Sequence, residues 1–393
     1  MVSSGNDHTL AIKNDGTLWA WGGNTYGQLG DGTNENKNIP IQIGQDFDWI
    51  NIKAGNNFSL ALKKDSTLWV WGINTSNQLG DKTNENKNMP VKINMDNNWV
   101  NISAGGYHGL GIKSNGTLWG WGGNWEGQVG NGTGGAKKIP VIIGDEDDWG
   151  TASPGEFHTI ALKTSGSLWI WGSNSAGQLG DGTYFNKKEP IQIVPGNIWN
   201  VVSAGKEHSI ALDINGILWA WGGNTYGQLG DGTNENKNIP IQIGQDNNWI
   251  IVSPGNDHTL AIKNDGTLWA WGANWSGQLG IGTYESKNIP IQIGDDNNWI
   301  IVSGGRNYSL GIKNNGTLWA WGANWLGQLG DGTNESKNIP VQIGYDNDWI
   351  NVFADINHNI AIKTNGTIWA WGSNEYGQIG DGSAWIEKPV LIK

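Results

Sequence analysis

The tetrapeptide Trp-x-Trp-Gly occurs eight times at a strict interval of 50 residues, from Trp19-Ala20-Trp21-Gly22 to Trp369-Ala370-Trp371-Gly372. A period of this size marks an array in which each repeat is one supersecondary unit that buries its apolar faces only against its neighbours. The repeats run 1–50, 51–100, 101–150, 151–200, 201–250, 251–300, 301–350 and 351–393. The first seven carry no insertion, and the eighth is one residue shorter before Pro389. The array therefore reads as a single domain despite a length that would otherwise suggest two or three.

Each repeat holds four strand signals. They are Trp-Ile-Asn-Val-type sequence such as Trp349 to Phe353, then His8 to Lys13, then Thr17 to Trp21, then Ile41 to Ile43 after Pro40. The second and third alternate with period two, and β-branched and aromatic residues fill all four. Asn14-Asp15-Gly16 supplies the hairpin turn, with Gly at the position that needs positive φ. No 3.6-residue period competes. Four short antiparallel strands cannot bury both faces alone, so radial stacking of the sheets is expected. The fold class is all-β, a β-propeller of four-stranded antiparallel blades, with eight blades favoured over seven.

Composition narrows the function. The chain has 24 Lys and Arg against 36 Asp and Glu, a net charge of −12, which opposes nucleic-acid binding. It has no cysteine, so disulfides, thiolate metal sites and cysteine nucleophiles are excluded. No apolar run approaches the ~18 residues of a membrane-spanning helix, and no membrane insertion is expected. Met1-Val2-Ser3-Ser4-Gly5 lacks the basic and apolar regions of a signal peptide and opens partway through a repeat. The compartment stays open; a soluble, monomeric domain is expected, compatible with a secreted or surface-displayed piece of a larger bacterial protein.

The repeat columns are read first as structure. His8, His108, His158, His208, His258 and His358 share one column with Phe58 and Tyr308. A metal or catalytic role would not tolerate Phe, so each imidazole is expected to bond a neighbouring backbone group. The Trp pairs from Trp19/Trp21 to Trp369/Trp371, and the seven Trp from Trp49 to Trp349, are expected to pack blade on blade. Asp31 to Glu35 could offer oxygen ligands to calcium, but the full loop pattern is missing and Lys82 and Ile281 interrupt the column, so a solvated turn is expected. The polar stretch Asn34 to Asn38 reads as a solvated rim. Asp145 to Asp148 are consecutive in a turn rather than converging across a cleft. No catalytic residue, metal or cofactor is expected.

Two motifs carry a family resemblance. Ala204-Gly205-Lys206-Glu207-His208-Ser209-Ile210-Ala211-Leu212, followed by Leu218-Trp219-Ala220-Trp221-Gly222-Gly223-Asn224 and Gly227-Gln228-Leu229-Gly230, resembles the repeat of the regulator of chromosome condensation (RCC1-like) family. The resemblance recurs eight times over the whole chain. It implies a propeller, most often of seven blades, and for the namesake member nucleotide exchange on a Ran-type GTPase through a wedge and a basic tail. Neither wedge nor basic tail can be mapped onto these repeats. Photoreceptor members carry Gly-Trp-Arg-His-Thr, whereas this chain has Gly5-Asn6-Asp7-His8-Thr9 and Gly205-Lys206-Glu207-His208-Ser209.

Positions that break the repeat point to a partner surface. Antiparallel connectivity puts the turn between strands one and two beside the loop between strands three and four. Trp125, Trp275, Trp325, Tyr26, Tyr226, Tyr376, Tyr184, Phe185, Tyr284, Arg306 and Trp385 fall in these segments, with Tyr107 and Phe157. Trp, Tyr and Arg are the residue types enriched at binding hot spots. Leu18 to Asp46 is identical to Leu218 to Asp246, which suggests recent duplication and a repeated surface rather than one catalytic centre. The favoured function is a non-catalytic scaffold that binds a protein partner. Guanine-nucleotide exchange and carbohydrate binding by a surface adhesin are the alternatives.

Overall fold

The computed structural model describes every residue except 95, 96, 384, 385 and 393. The described residues form eight four-stranded sheets and no helix. Each sheet is an antiparallel meander of four strands consecutive in the chain, so the fold is that of an eight-bladed β-propeller. In the first blade the strands are Val2–Ser4, His8–Ile12, Leu18–Gly22 and Lys37–Gln42. The second blade begins at Trp49, two residues ahead of the repeat boundary read from the sequence. The chain comprises two compact units of four blades each. Unit 1 is Met1–Asn174, Phe185–Gly196 and Glu375–Gly382; unit 2 is Ser175–Tyr184, Asn197–Asn374 and Ser383–Lys393.

Alternation decides which side chains go inward, and tryptophan supplies the volume. Within unit 1, Leu10, Leu18, Ala20, Leu29 and Ile43 of blade one pack on Trp49, Ile52, Ala61 and Trp71 of blade two. Within unit 2, Leu260, Ile262, Leu268, Ala270 and Leu279 of blade six pack likewise on Trp299, Val302 and Trp321 of blade seven. Burying an indole of roughly 200 Å² contributes on the order of 5 kcal/mol before ordering costs. Trp49 also stands edge-on to Trp69 at 5.8 Å and Trp71 at 6.4 Å within its own blade.

The outer strand is longer than its sequence signal. It runs Lys37–Gln42 through Pro40, with a register irregularity between the Ala20 and Gly22 pairings. An edge strand with an irregular ladder tolerates the missing proline N–H. Lys37 therefore belongs to the strand and Asn36 Oδ1 accepts from Asn24 N at 2.8 Å, while Asn34, Glu35, Asn36 and Asn38 are exposed, as expected of a solvated rim.

The histidine column corrects the sequence expectation. For His8, His108, His208 and His258 the partner is a hydroxyl of the following blade, not a backbone group, whereas His158 Nε2 is buried without one. His8 Nε2 lies 3.0 Å from Ser59 Oγ, His108 Nε2 3.1 Å from Thr159 Oγ1, and His258 Nε2 3.0 Å from Ser309 Oγ. Each hydroxyl spends its one proton on a loop carbonyl: Ser59 on Gln28 O at 2.8 Å, Thr159 on Gln128 O at 3.0 Å, Ser309 on Gln278 O at 2.8 Å. The imidazole must then donate from Nε2, which assigns the neutral Nε2–H tautomer. Burial holds His108 down to about 3, helped by His158, and His258 down to about 4. The departures in the column are matched by their partners. Tyr308 donates to Asn359 Oδ1 at 2.7 Å, and Asn359 Nδ2 passes the contact to Gln328 O at 2.7 Å. Phe58, which has nothing to donate, precedes Gly109, which has nothing to accept.

Candidate functional site

The loop between strands three and four does two jobs. Its first is to clamp the next blade. In unit 1, Gln28 O accepts Trp71 Nε1 at 2.8 Å, and Gly32 N donates to Asn88 O at 2.7 Å. Gly30 has φ +83°, and a Cβ there would sit 2.9 Å from Trp71 Nε1, so the loop backbone lies directly on the indole. The segment Glu375–Gly382 does the same for blade one, where Trp21 Nε1 donates to Gln378 O at 2.9 Å.

The second job is to present side chains. Buried Asn24 organises the loop from inside, donating to Asp31 Oδ1 at 3.0 Å and Thr33 O at 3.1 Å while its own Oδ1 accepts Leu29 N at 3.0 Å. Gln28 Oε1 accepts Tyr26 N at 3.0 Å. The Asp31 carboxylate also takes Thr33 N at 2.9 Å and lies 3.4 Å from Lys37 Nζ. Burial would raise its pKa, but these hydrogen bonds and Lys37 hold it below the usual carboxylate value. This Asp31 is therefore a largely buried loop organiser, so the expected solvated turn holds for the exposed Gly32, Asn34 and Glu35 but not for Asp31. With the loop fixed from inside, the residues at its tip face outward on a rigid support.

The turn between strands one and two joins this platform, as connectivity requires. Gly23 N donates to Asp7 O at 2.6 Å, Gly123 N to Tyr107 O at 2.8 Å, and Ala273 N to Asp257 O at 2.8 Å.

In unit 1 these segments carry Tyr26, Trp125, Phe185 and Tyr376, all exposed. Trp125 is 53% exposed and meets Tyr107 edge-on at 5.9 Å; Tyr107 stacks on Phe157 at 5.7 Å and 22°. The three rings form one apolar cluster from two adjacent blades. Glu126 lies beside it in sequence and is hydrogen-bonded to Asn186.

In unit 2 the segments carry Tyr184, Tyr226, Trp275, Tyr284, Arg306 and Trp325, again all exposed. Tyr226 packs edge-on against Trp275 at 4.8 Å. Trp325 is 59% exposed and Tyr284 53%. Here the turns are charged rather than aromatic: Lys206, Glu207, Asp257 and Arg306 interact electrostatically. Burial raises the Asp257 carboxyl, and Glu207 adds to that, while Lys206 and Arg306 oppose it. Trp385 lies outside the described residues. The described aromatic loop positions and Arg306 singled out from the sequence are exposed on these segments. Sequence reasoning missed the charged group around Asp257, whose signal was the replacement of Asn56-Asn57-type turns by Lys206-Glu207 and Arg306.

The RCC1-like domain model matches residues 1–254 and 155–393, which together span the chain. The chain belongs to the RCC1-like family. A 42-residue stretch is 43% identical to the ultraviolet-B receptor UVR8 of Arabidopsis thaliana, spanning about a tenth of each protein (11% of this chain, 10% of the receptor). Among solved structures, human WBSCR16 superposes with a TM-score of 0.70 at 21% identity, covering 88% of this chain and 98% of that one. Prp20p of Saccharomyces cerevisiae, described with its binding to Gsp1p and histones, gives 0.69 at 20% identity, covering 90% and 92%. At these identities the likeness is one of fold.

Proposed function

We propose that this RCC1-like propeller is a non-catalytic interaction scaffold that binds a protein partner through the aromatic tips of its strand-three-to-four loops. The observation that carries the reading is the Tyr107–Trp125–Phe157 cluster of unit 1. Three aromatic side chains, one of them a half-exposed indole, are held on loops organised from inside, where Asn124 donates to Thr133 O at 2.8 Å and accepts Val129 N at 2.9 Å. Such rings lose little conformational freedom on binding, and exposed contiguous aromatics mark interaction surfaces. The Tyr226–Trp275 pair of unit 2 offers a second anchor of the same kind beside a charged turn. The strongly depressed histidines support a structural rather than an acid–base role, because His108 and His258 are spent on blade-to-blade hydrogen bonds.

The test pairs capture with a direct measurement. Wild-type protein and a Trp125→Ala, Trp275→Ala, Trp325→Ala variant, matched by circular dichroism, are used to capture partners, and each captured protein is then titrated in purified form. A purified partner whose affinity falls at least about tenfold in the variant supports the reading, since truncating a hot-spot ring costs at least ~1.4 kcal/mol. A partner indifferent to all three substitutions refutes it. A small GTPase among the partners would call for a nucleotide-release assay, and acceleration there would replace the scaffold reading with exchange.

A further inference from the structure

The loop tryptophans Trp125, Trp275 and Trp325 are seated differently, and two columns of the repeat explain it. In blade six Trp275 leans on Tyr226 of blade five. Blade three has Gly123 where blade six has Ala273, and blade two offers Ser76 where blade five offers Tyr226. Trp125 therefore meets a serine, not a ring, at that place of the preceding blade, and it folds over its own. A Cβ on Gly123 would sit 2.7 Å from Trp125 Cζ3 and 3.0 Å from Cη2, so the indole rests on bare backbone. Trp325, with Ala323 and Ser276 at those places, is the most exposed of the three, at 59%.

Resting on Gly123 brings Trp125 edge-on to Tyr107, which in turn stacks on Phe157. The indole has one face on the backbone and is 53% exposed, so its other face is open to solvent. A carboxylate flanks each end of this platform. Glu126 adjoins Trp125 and accepts from Asn186 Nδ2. Glu156 adjoins Phe157 and is exposed, and its stem crosses toward blade three, where a Gly106 Cβ beside Tyr107 would lie 3.2 Å from Glu156 Cγ. Among the described residues neither carboxylate has a lysine or arginine partner. Lys188, whose stem lies against Gly127, carries its ammonium toward Gly134 instead.

Building on the scaffold reading, we propose that the Trp125 platform of unit 1 binds an arginine side chain of the partner protein, and that Gly123 is the residue that seats it. An indole face attracts a cation. A guanidinium lies flat on that face while its N–H groups fork to a carboxylate, which an ammonium does not do. The net charge of −12 draws cationic partners toward the chain. The platform is open and runs across two blades rather than closing round a small molecule, which fits a protein side chain.

The full chain is titrated with acetyl-Gly-Arg-Gly amide, its lysine and citrulline counterparts and methylguanidinium, following indole N–H resonances by NMR. Trp125→Phe assigns the Trp125 signal. The arginine peptide should shift that signal saturably, the lysine peptide should bind several-fold more weakly, and the neutral citrulline peptide at least about tenfold more weakly. Glu126→Gln combined with Glu156→Gln should weaken the arginine peptide about tenfold. Gly123→Ala keeps every side chain of the platform and adds only the methyl that Ala273 and Ala323 carry, so it should fold, and it should weaken binding to a similar extent with circular dichroism unchanged. No saturable shift, citrulline binding as tightly as arginine, or indifference to the two glutamine substitutions overturns the proposal. Lysine binding as tightly overturns the choice of arginine, methylguanidinium binding more tightly than the peptide overturns the protein side chain, and normal binding by Gly123→Ala overturns the seat. A captured partner weakened by the three tryptophan substitutions but not by the two glutamine substitutions leaves the scaffold reading standing and removes this one.

Discussion

Trp121→Phe should destabilise the protein more than Trp171→Phe, although the two indoles are equivalent in the repeat and both are fully buried. Trp121 Nε1 donates to Gln78 O at 2.9 Å, and Trp171 Nε1 donates to Gln128 O at 2.9 Å. Both variants lose the same ring volume, a shared cost of about 2–3 kcal/mol. They differ in what remains on the loop carbonyl. Gln128 O still accepts Thr159 Oγ1 at 3.0 Å. The residue at the Thr159 position in blade three is Gly109, so Gln78 O has no hydroxyl to fall back on. A buried carbonyl left without its donor costs about 1–3 kcal/mol, which sets an expected difference of about 1–2 kcal/mol between the two variants. Guanidinium unfolding of both is the assay, with equal m-values required before midpoints are compared, because arrays of repeats can unfold in stages. Equal losses, or a larger loss for Trp171→Phe, would refute the relay from histidine through hydroxyl to loop carbonyl.

Three further outcomes follow from the same geometry. Stability should be full above pH 6.5 and fall as pH drops toward 4: unfolded histidines take a proton near 6.5, whereas folded His158 and His258 resist it to about 4 and His108 to about 3. Each contributes up to ~1.4 kcal/mol of loss per pH unit in that window, and a guanidinium midpoint unchanged between pH 7.5 and 5 would contradict the buried neutral tautomer. Gly30→Ala should cost several-fold more than Gly44→Ala, since both have positive φ (+83° and +67°) but only the Gly30 Cβ meets a neighbour, Trp71 Nε1 at 2.9 Å; the shared left-handed penalty is ~1 kcal/mol, and equal thermal shifts would show that the loop does not lie against the next blade as described. Lys263→Met should lose about 1 kcal/mol, from the contact over Trp249 and Trp269 rather than from the solvent-screened Asp246 pair, and a loss that vanishes in high salt would reverse that ranking.

What could be read from the sequence and what could not divides along contact distance. A meander pairs residues within one repeat, so period-two alternation and Gly16-type turns were enough for the strands, and eight uninterrupted periods were enough for the blade number. Contacts between blades join residues 31, 43 or 51 positions apart, as Gln28 does with Ser59 and Trp71 and His8 with Ser59, and no local pattern reports them. The histidine partner was nonetheless written in the chain, in a pairing of columns rather than in a motif: Ser59, Thr159 and Ser309 follow histidines by 51 residues, Asn359 follows Tyr308, and Gly109 follows Phe58. Asp31 was misread for the same reason, because a polar Gly-rich segment looks solvated until its own buried Asn24 and the next blade are seen to surround it. The aromatic positions were legible because they break the repeat, and the loop they stand on explains their exposure. The invariant residues of each loop face inward and onto the next blade, so the only positions free to vary are those at the tip. Variation and exposure thus have one cause at the loop tips, whereas in blade five Asp213, Ile198 and Ile217 depart together around two tryptophans that keep their places, with Asp213 buried.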